Sequence, residues 1–222
     1  MLKTEYIEAR DLPDAWFQLI YRLMDVGYKY EIQKGSYEGE TRLEFDYITC
    51  LIKKPYSEPY DTMLPEIPAA YGIPNPVANG YIDDYLPYIM TDELKDGEQY
   101  TYGSRIVPQL DFVINTLANS PNTNQVVIQI AQPSDKELPD PPCLREIDCR
   151  VRDGRLIFFP RFRSWDLWGG FSANLAAIAV LQKYVADSAG LECGEMIASS
   201  KGLHIYGYVE EMARIRTGKA TF

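Results

Sequence analysis

The strongest folding constraint in this chain is the dipeptide Asp153-Gly154, which separates two strand-like runs. Both central residues of a type I′ turn need positive φ, and Asp-Gly is one of the pairs that meet this need. Apolar and charged residues alternate before the turn, as expected of a half-buried strand. The pattern therefore predicts an antiparallel hairpin that joins residues 144–152 to residues 155–163.

The rest of the chain carries further signals of helices and strands. They predict a helix capped by Asp11 with Pro13 in its first turn and ended by Gly27, a strand at 41–53, a helix at 110–117, a strand at 125–131, and helices from Ser172 to Ala189 and from about His204 toward Arg214.

Six prolines lie between Pro55 and Gly80, so regular structure is not expected there. Apolar residues such as Met63 and Leu64 favour an ordered lid or binding loop over a disordered linker. No internal repeat and no break in composition divides the chain. We therefore expect one α+β domain over residues 1–222, with a proline-rich loop at about 55–80.

The net charge of the chain is −10, from 22 Lys and Arg against 32 Asp and Glu. This balance argues against a protein that binds nucleic acid or an acidic membrane nonspecifically. Any anionic ligand must then be held by a local cluster of cations. No apolar run approaches the roughly 20 residues of a membrane helix, so no membrane association is expected.

Cysteine and histidine usage narrows the chemistry further. The four cysteines form no CxxC pair and no zinc-like spacing, and no signal peptide precedes them. They are expected to be free thiols in a reducing cytoplasm. His204 is the only histidine, which removes most Ser-His hydrolase and multi-histidine metal templates. No metal is expected.

The residues that carry chemistry fall in a few segments. These are Pro141-Pro142-Cys143, Arg163-Ser164-Trp165-Asp166, Gly170, Asn174 and His204-Ile205-Tyr206. Cys143 stands at the start of a predicted hairpin strand, beside arginines at 145, 161 and 163. These arginines can lower the pKa of its thiol, making it a soft carbon nucleophile. The other three cysteines are interpreted as packing residues.

Several of these residues suit a nucleotide, although each also has an ordinary structural interpretation. Arg163 and Ser164 match phosphate oxygens, or Arg163 forms a surface ion pair. Asn174 matches the carbonyl and N–H edge of uracil, or caps a helix. His204 and Tyr206 can reach a ribose hydroxyl, although a lone histidine is more often structural.

Together these segments resemble the thymidylate synthase family, whose pattern places a nucleophilic Cys after Pro or Ala-Pro, then RSxDxxxGxxxN, then HxY. Twenty residues separate Cys143 from Arg163, and eleven separate Arg163 from Asn174. Thirty more lead to His204. The resemblance covers roughly residues 100–208. The segment 100–105 and the short chain are most similar to the compact archaeal branch.

The resemblance implies a mixed β-sheet packed against helices and a transfer of one carbon to dUMP from 5,10-methylenetetrahydrofolate or a related reduced pterin. In that scheme Cys143 adds to C6 of dUMP, Tyr102 helps to move protons, and Asp166 contacts the pterin. The nucleotide is held by Arg163, Ser164, Gly170, Asn174, His204 and Tyr206. Relatives that act on cytosine nucleotides tend to carry Asp at position 174, so Asn174 favours uracil. A homodimer is implied, with a monomer as the alternative.

Three departures from the family pattern, and one family residue that the sequence does not place, set questions for the structure. Asn124-Gln125 stands where an Arg pair usually reaches the partner's phosphate, so Arg42 or Arg105 is the candidate replacement. Leu144 replaces the usual His after the nucleophile. The sequence stops at Phe222, whereas family members continue into a tail that closes over the folate. The proton-relay glutamate is either residue 44 or residue 66.

These departures leave three functions open. The first is dTMP synthesis from dUMP. The second is hydroxymethylation of dUMP or dCMP, in which water instead of hydride captures the methylene carbon. The third is a nucleotide-binding module without turnover, which would not need Cys143.

Overall fold

The computed structural model describes residues 1–35 and 37–220 and contains two β-sheets with helices packed around them. The helices are α1 Leu12–Val26, α2 Tyr81–Met90, α3 Tyr102–Ile106, α4 Leu110–Asn119, α5 Gly170–Ser188 and α6 Gly207–Thr217. The strands are β1 Thr4–Asp11, β2 Tyr28–Glu31, β3 Thr41–Glu44, β4 Tyr47–Lys54, β5 Val127–Gln129, β6 Leu144–Arg152, β7 Arg155–Phe162, β8 Trp165–Asp166, β9 Glu192–Ser200 and β10 Leu203–Tyr206.

The larger sheet has six strands in the order β1-β4-β9-β7-β6-β5. It is mixed, because β1 pairs with β4 and β7 with β9 in parallel, whereas the other neighbours are antiparallel. Helices α1 and α5 pack against this sheet and cover the face that carries its fully buried side chains. The predicted α+β class with a mixed sheet is confirmed.

The hairpin forms as its turn predicts. Asp153 has φ 51° and Gly154 has φ 75°, the positive pair that a type I′ turn requires. Arg152 pairs with Arg155 directly beside the turn, and Leu144 pairs with Phe162 at the far end. The start of α1 also follows the prediction, since Asp11 caps it by accepting a hydrogen bond from the Asp14 N–H.

Two of the predictions of secondary structure are wrong, and in both cases pairing with a strand distant in the sequence determines the observed structure. The strand expected at 41–53 is two strands, β3 and β4, that belong to different sheets. The chain crosses between the sheets at Phe45, whose N–H donates to Leu203 O, and Asp46, which accepts from Lys3 N–H. The helix expected from His204 begins only at Gly207, because residues 203–206 form β10 between β3 and β8.

The proline-rich loop packs against the body of the protein. It contains two short 3-10 turns, at Tyr60–Met63 and Ala69–Tyr71, and it buries Met63, Leu64 and Ile67 in the core. A disordered linker is therefore excluded for this segment. Within the described part of the chain, no helix is both long enough and apolar enough to cross a membrane.

Candidate active site

The hairpin register places Cys143 next to Arg163. Cys143 lies immediately before β6, and Arg163 lies immediately after β7. Because Leu144 pairs with Phe162, the two residues meet across the open end of the hairpin, where the Arg163 N–H donates to Cys143 O at 2.8 Å. The turn at Asp153-Gly154 thus brings together Cys143 and Arg163, which are twenty residues apart in the sequence.

The smaller sheet holds three of the remaining predicted residues, Asp166, His204 and Tyr206. Its order is β2-β3-β10-β8. Tyr206 pairs with Arg42, and His204 pairs with Glu44 on one side and with Asp166 on the other. Strand β8 follows the hairpin directly, so the two sheets meet beside Cys143.

A cavity of about 280 Å³ opens at this junction. Four of the predicted residues line it: Cys143, Arg163, Ser164 and Tyr206. Arg42, a replacement cation predicted from the sequence, lines it as well, and so does Lys34, which belongs to no sequence motif. The pattern gave no signal for Lys34, since one lysine in a polar loop has no periodicity or motif.

The thiol of Cys143 does not have the lowered pKa that the sequence predicted. Cys143 is half-buried, and burial raises the pKa of its thiol more than the arginines lower it. Arg163, Arg42 and Arg145 all favour the thiolate, whereas the carboxylate of Asp140 opposes it. The prediction was wrong because counting nearby arginines ignores both desolvation and the acidic neighbour.

Arg163 holds the segment before Cys143 in place. Its Nη2 donates to Pro141 O at 2.6 Å and lies 3.2 Å from Asp140 Oδ1, and its Nε donates to Pro142 O at 3.2 Å. The guanidinium is therefore partly engaged before any ligand arrives. It lines the cavity beside Ser164 all the same.

Of the two candidate replacement cations, only Arg42 is in this cavity. Arg42 Nη2 donates to the Tyr206 hydroxyl at 3.1 Å, and its buried Nε finds no hydrogen-bond partner among the described residues. Arg105 instead makes a two-pronged ion pair with the buried Asp135, at 2.7 and 2.9 Å, and donates to Ile130 O. Arg105 is a structural residue in this fold.

His204 is buried in its neutral form. Burial lowers its pKa to about 4. Nδ1 lies 2.9 Å from Gly202 O, a carbonyl that can only accept, so Nδ1 carries the proton. Nε2 is then an acceptor, and it is buried without a hydrogen-bond partner in the described residues. Tyr206 packs edge-on against the ring at 4.7 Å.

Asp166 and Gly170 shape the start of α5. Asp166 accepts hydrogen bonds from the N–H groups of Trp168, Gly169 and Gly170 at 3.0 to 3.1 Å. A side chain at Gly170 would begin 3.3 Å from Asp166 Cβ and 3.7 Å from Asn174 Oδ1. The missing side chain keeps the space between Asp166 and Asn174 open.

Asn174 projects from the beginning of α5 but does not cap the helix, which starts at Gly170. Its Oδ1 accepts from the Trp165 indole Nε1 at 3.1 Å, and its Nδ2 donates to the Tyr85 hydroxyl at 2.8 Å. Trp165 belongs to the predicted motif, whereas nothing in the sequence pointed to Tyr85, because α2 and α5 meet only in the tertiary structure. The side chain of Asn174 is half-buried.

Tyr102 lies between Cys143 and the surroundings of Asn174. Its hydroxyl accepts a hydrogen bond at 3.2 Å from the backbone N–H of Leu144, the residue that follows Cys143. Burial raises the pKa of Tyr102 well above its ordinary value, and the nearby Cys143 adds to this effect. Tyr88 packs edge-on against the Tyr102 ring at 5.2 Å and stacks on Tyr85 at 5.6 Å. A row of tyrosines thus leads from Cys143 to Asn174.

The two candidates for the proton-relay glutamate, Glu44 and Glu66, lie in different surroundings. Glu44 accepts from the Tyr30 hydroxyl at 3.0 Å and lies 3.8 Å from His204 Nδ1, and burial raises the pKa of its carboxyl. Glu66 is exposed on the proline-rich loop, beside Pro13 and Phe17. Only Glu44 belongs to the sheet that carries His204.

Comparison with known proteins shows the family of this chain. The family model described as "Thymidylate synthase" matches residues 85–218, more than half of the chain. A "Putative thymidylate synthase" of Methanosarcina barkeri is 27% identical over 215 residues, which cover 93% of this chain and 91% of the relative. One of Methanococcoides burtonii is 29% identical over 211 residues, covering 91% and 89%.

A "Thymidylate synthase" of Fusobacterium nucleatum is 35% identical over 109 residues, which cover 49% of this chain and 39% of that relative. The matched family region contains the nucleophile candidate, the strand that follows it and the helix that carries Asn174. The chain belongs to the thymidylate synthase family.

Proposed function

We propose that this protein transfers one carbon from a methylene-bearing reduced pterin to C5 of dUMP, giving dTMP. The observation that carries the proposal is the cavity in which the half-buried Cys143 thiol lies among three cations, Lys34, Arg42 and Arg163. In a chain of net charge −10, such a cluster of cations favours binding of a small anion. The thiol can then add to an electrophilic carbon of that ligand.

The phosphate of dUMP would bind among those cations and the Ser164 hydroxyl. Arg42 Nε, which has no hydrogen-bond partner among the residues that the structure describes, supports this assignment. A buried guanidinium N–H without an acceptor costs free energy that a phosphate oxygen would recover. A dianion close to Arg163 would also compete with Asp140 and the Pro141 carbonyl for its N–H groups. Phosphate binding is therefore expected to loosen the segment that holds Cys143.

The sugar and base would lie along His204, Tyr206 and Asn174. The neutral His204 offers a lone pair on Nε2 to a ribose hydroxyl, and Asn174 keeps one N–H and one lone pair for the base after its contacts to Trp165 and Tyr85. The missing side chain of Gly170 would keep the space between Asp166 and Asn174 free for the base.

The reaction begins when the Cys143 thiolate adds to C6 of the uracil ring, which makes C5 a carbon nucleophile. The pterin supplies the methylene carbon and then the hydride. Loss of the C5 proton, elimination of the pterin and expulsion of the Cys143 thiolate complete dTMP. Glu44 and the Tyr102 hydroxyl are the proposed proton-handling groups, and Asp166 is the proposed pterin contact. Much of the rate would come from positioning the two ligands and excluding water.

Replacing Cys143 tests the proposal, with Cys149 as the matched control. Cys143→Ala is expected to abolish dTMP formation while dUMP binding is retained, whereas Cys149→Ala, on a buried strand position, should keep turnover. Nucleotide binding without turnover in the wild-type protein would indicate a binding module. A product that gains CH2O would indicate a hydroxymethylase, for which Leu144, in place of the family's usual His after the nucleophile, is the favouring feature.

We also propose that two copies pair through the outer face of the six-stranded sheet. Its side chains point away from α1 and α5 and are at least partly exposed, yet many are apolar. They include Tyr6, Tyr47, Leu51, Ile157, Phe159 and Ile197. Register brings Leu51 opposite Ile197, so these two apolar side chains lie side by side, and exposed apolar side chains of this kind are typical of interfaces between identical subunits.

A further inference from the structure

The amide of Asn174 is held between two partners of different chemistry. The Trp165 indole Nε1 lies 3.1 Å from Oδ1, and the Tyr85 hydroxyl lies 2.8 Å from Nδ2. An indole N–H can only donate, whereas a phenol hydroxyl can donate or accept. Trp165 therefore determines which end of the amide is the oxygen, whereas the Tyr85 hydroxyl can form a hydrogen bond with either end.

The indole itself has no freedom to turn away. Trp165 is only 3% exposed. Its ring stacks on Phe162 with centroids 3.9 Å apart and planes 6° from parallel, and Phe171 packs on it at 4.7 Å. Its backbone N–H is fixed by Gly202 O at 2.9 Å. The donor that faces Asn174 is thus rigid.

This orientation has a consequence for base choice. Uracil offers the O4 acceptor beside the N3–H donor, and cytosine offers the N4 amine donor beside the N3 acceptor. An amide that binds uracil must turn over to bind cytosine in the same pose. Turning it over would place the Asn174 NH2 group against the Trp165 N–H, so that two donors face each other and a hydrogen bond is lost.

We propose that Trp165 is a positioning residue that sets the preference of this site for uracil over cytosine nucleotides, by locking the amide orientation of Asn174. The proposal rests on the proposed function, in which Asn174 contacts the base. It assigns the discrimination to a residue that need not touch the nucleotide.

The test measures dissociation constants of dUMP and dCMP by calorimetry for wild type and Trp165→Phe. Phe keeps the stacking on Phe162 and Phe171 but removes the donor. The wild-type protein is expected to bind dUMP more tightly than dCMP. In the variant the ratio of the two dissociation constants should fall by at least about tenfold, which corresponds to the loss of one hydrogen bond to a partly buried group. Trp168→Phe and Tyr85→Phe are controls that should keep the wild-type ratio.

A double-mutant cycle shows whether Trp165 acts through the amide. In Asn174→Asp the two carboxylate oxygens are alike, so no orientation remains to be locked. Adding Trp165→Phe there should change the dUMP-to-dCMP ratio by no more than about twofold, the scatter expected of independent sites. An equal change of the ratio in both backgrounds, or an equal loss of affinity for both nucleotides in Trp165→Phe, would overturn the proposal.

Wild-type protein supplies the answer if Trp165→Phe does not fold. The indole N–H signal of Trp165, assigned in NMR spectra through its contacts to Phe162 and Phe171, should keep its hydrogen-bonded shift with saturating dUMP and lose it with saturating dCMP. The same shift with both nucleotides, or equal affinity for both, refutes the role of Trp165. Failure to bind either nucleotide refutes the proposed function instead.

Discussion

Acidification should destabilise this protein through His204. The ring is buried, with its pKa lowered from 6.5 to about 4 by burial and by the charge of Arg42. Between these two pH values the unfolded chain takes up a proton that the folded chain does not. Stability is therefore complete above pH 6.5 and is lost as the pH falls toward 4, and the loss levels off below that.

The size of the effect follows from the shift. One pKa unit corresponds to about 1.4 kcal/mol, so a single site with these two pKa values costs about 2 kcal/mol of unfolding free energy between pH 7 and pH 5. Carboxyls with raised pKa, such as Glu44 and Asp166, change stability in the opposite direction. A comparison with a chain that lacks only the imidazole removes their contribution.

His204→Asn is the matched variant, because its amide nitrogen occupies the place of Nδ1 and can donate to Gly202 O. Urea unfolding of both chains at pH 7 and pH 5, at constant ionic strength, gives the free energies. Wild type should lose about 2 kcal/mol more than the variant on acidification. Losses that agree within about 0.5 kcal/mol would refute a buried neutral histidine.

Three further predictions address the charges and the assembly. Arg42→Ala should weaken dUMP binding by about tenfold or more but leave deoxyuridine binding unchanged, since a charge-assisted contact to phosphate is lost; equal effects on both ligands, measured by calorimetry, would exclude a phosphate role. Arg105→Ala should cost about 3–5 kcal/mol in urea unfolding because it removes the two-pronged ion pair of a buried carboxylate, and Arg105→Ala/Asp135→Ala should cost less; a larger loss in the double variant would contradict this. Ile197→Asp should convert a dimer to a monomer in light scattering, and a monomeric wild type would refute the proposed interface.

Local signals in the sequence were sufficient for the hairpin and for α1. Asp153-Gly154 specifies its own turn, and Asp11 and Pro13 specify a helix start, whatever the rest of the chain does. The break at Phe45-Asp46 and the strand at 203–206 follow from pairing with distant segments. Alternation of side chains cannot show which sheet a strand joins.

The same division applies to the candidate site. The motif correctly indicated that Cys143, Arg163, Ser164 and Tyr206 share one cavity. The hairpin register makes positions 143 and 163 neighbours, whereas Tyr206 reaches the cavity through the smaller sheet. The pKa of Cys143 depended on burial, which the sequence does not reveal.

Site residues contributed by other helices and strands could not be predicted from the sequence either. Lys34 and Tyr85 enter the site only through the tertiary fold, and the contact of Trp165 with Asn174 joins β8 to α5. The orientation of the Asn174 amide, on which base choice is proposed to depend, follows from that contact alone.

The central claim is tested most directly by incubating the protein with dUMP and 5,10-methylenetetrahydrofolate and measuring the mass of the nucleotide product. The proposed function predicts a gain of one CH2, absent in Cys143→Ala and present in Cys149→Ala. A gain of CH2O would replace methylation by hydroxymethylation. No change in mass, or a gain that persists in Cys143→Ala, would contradict the thiolate mechanism proposed for this site.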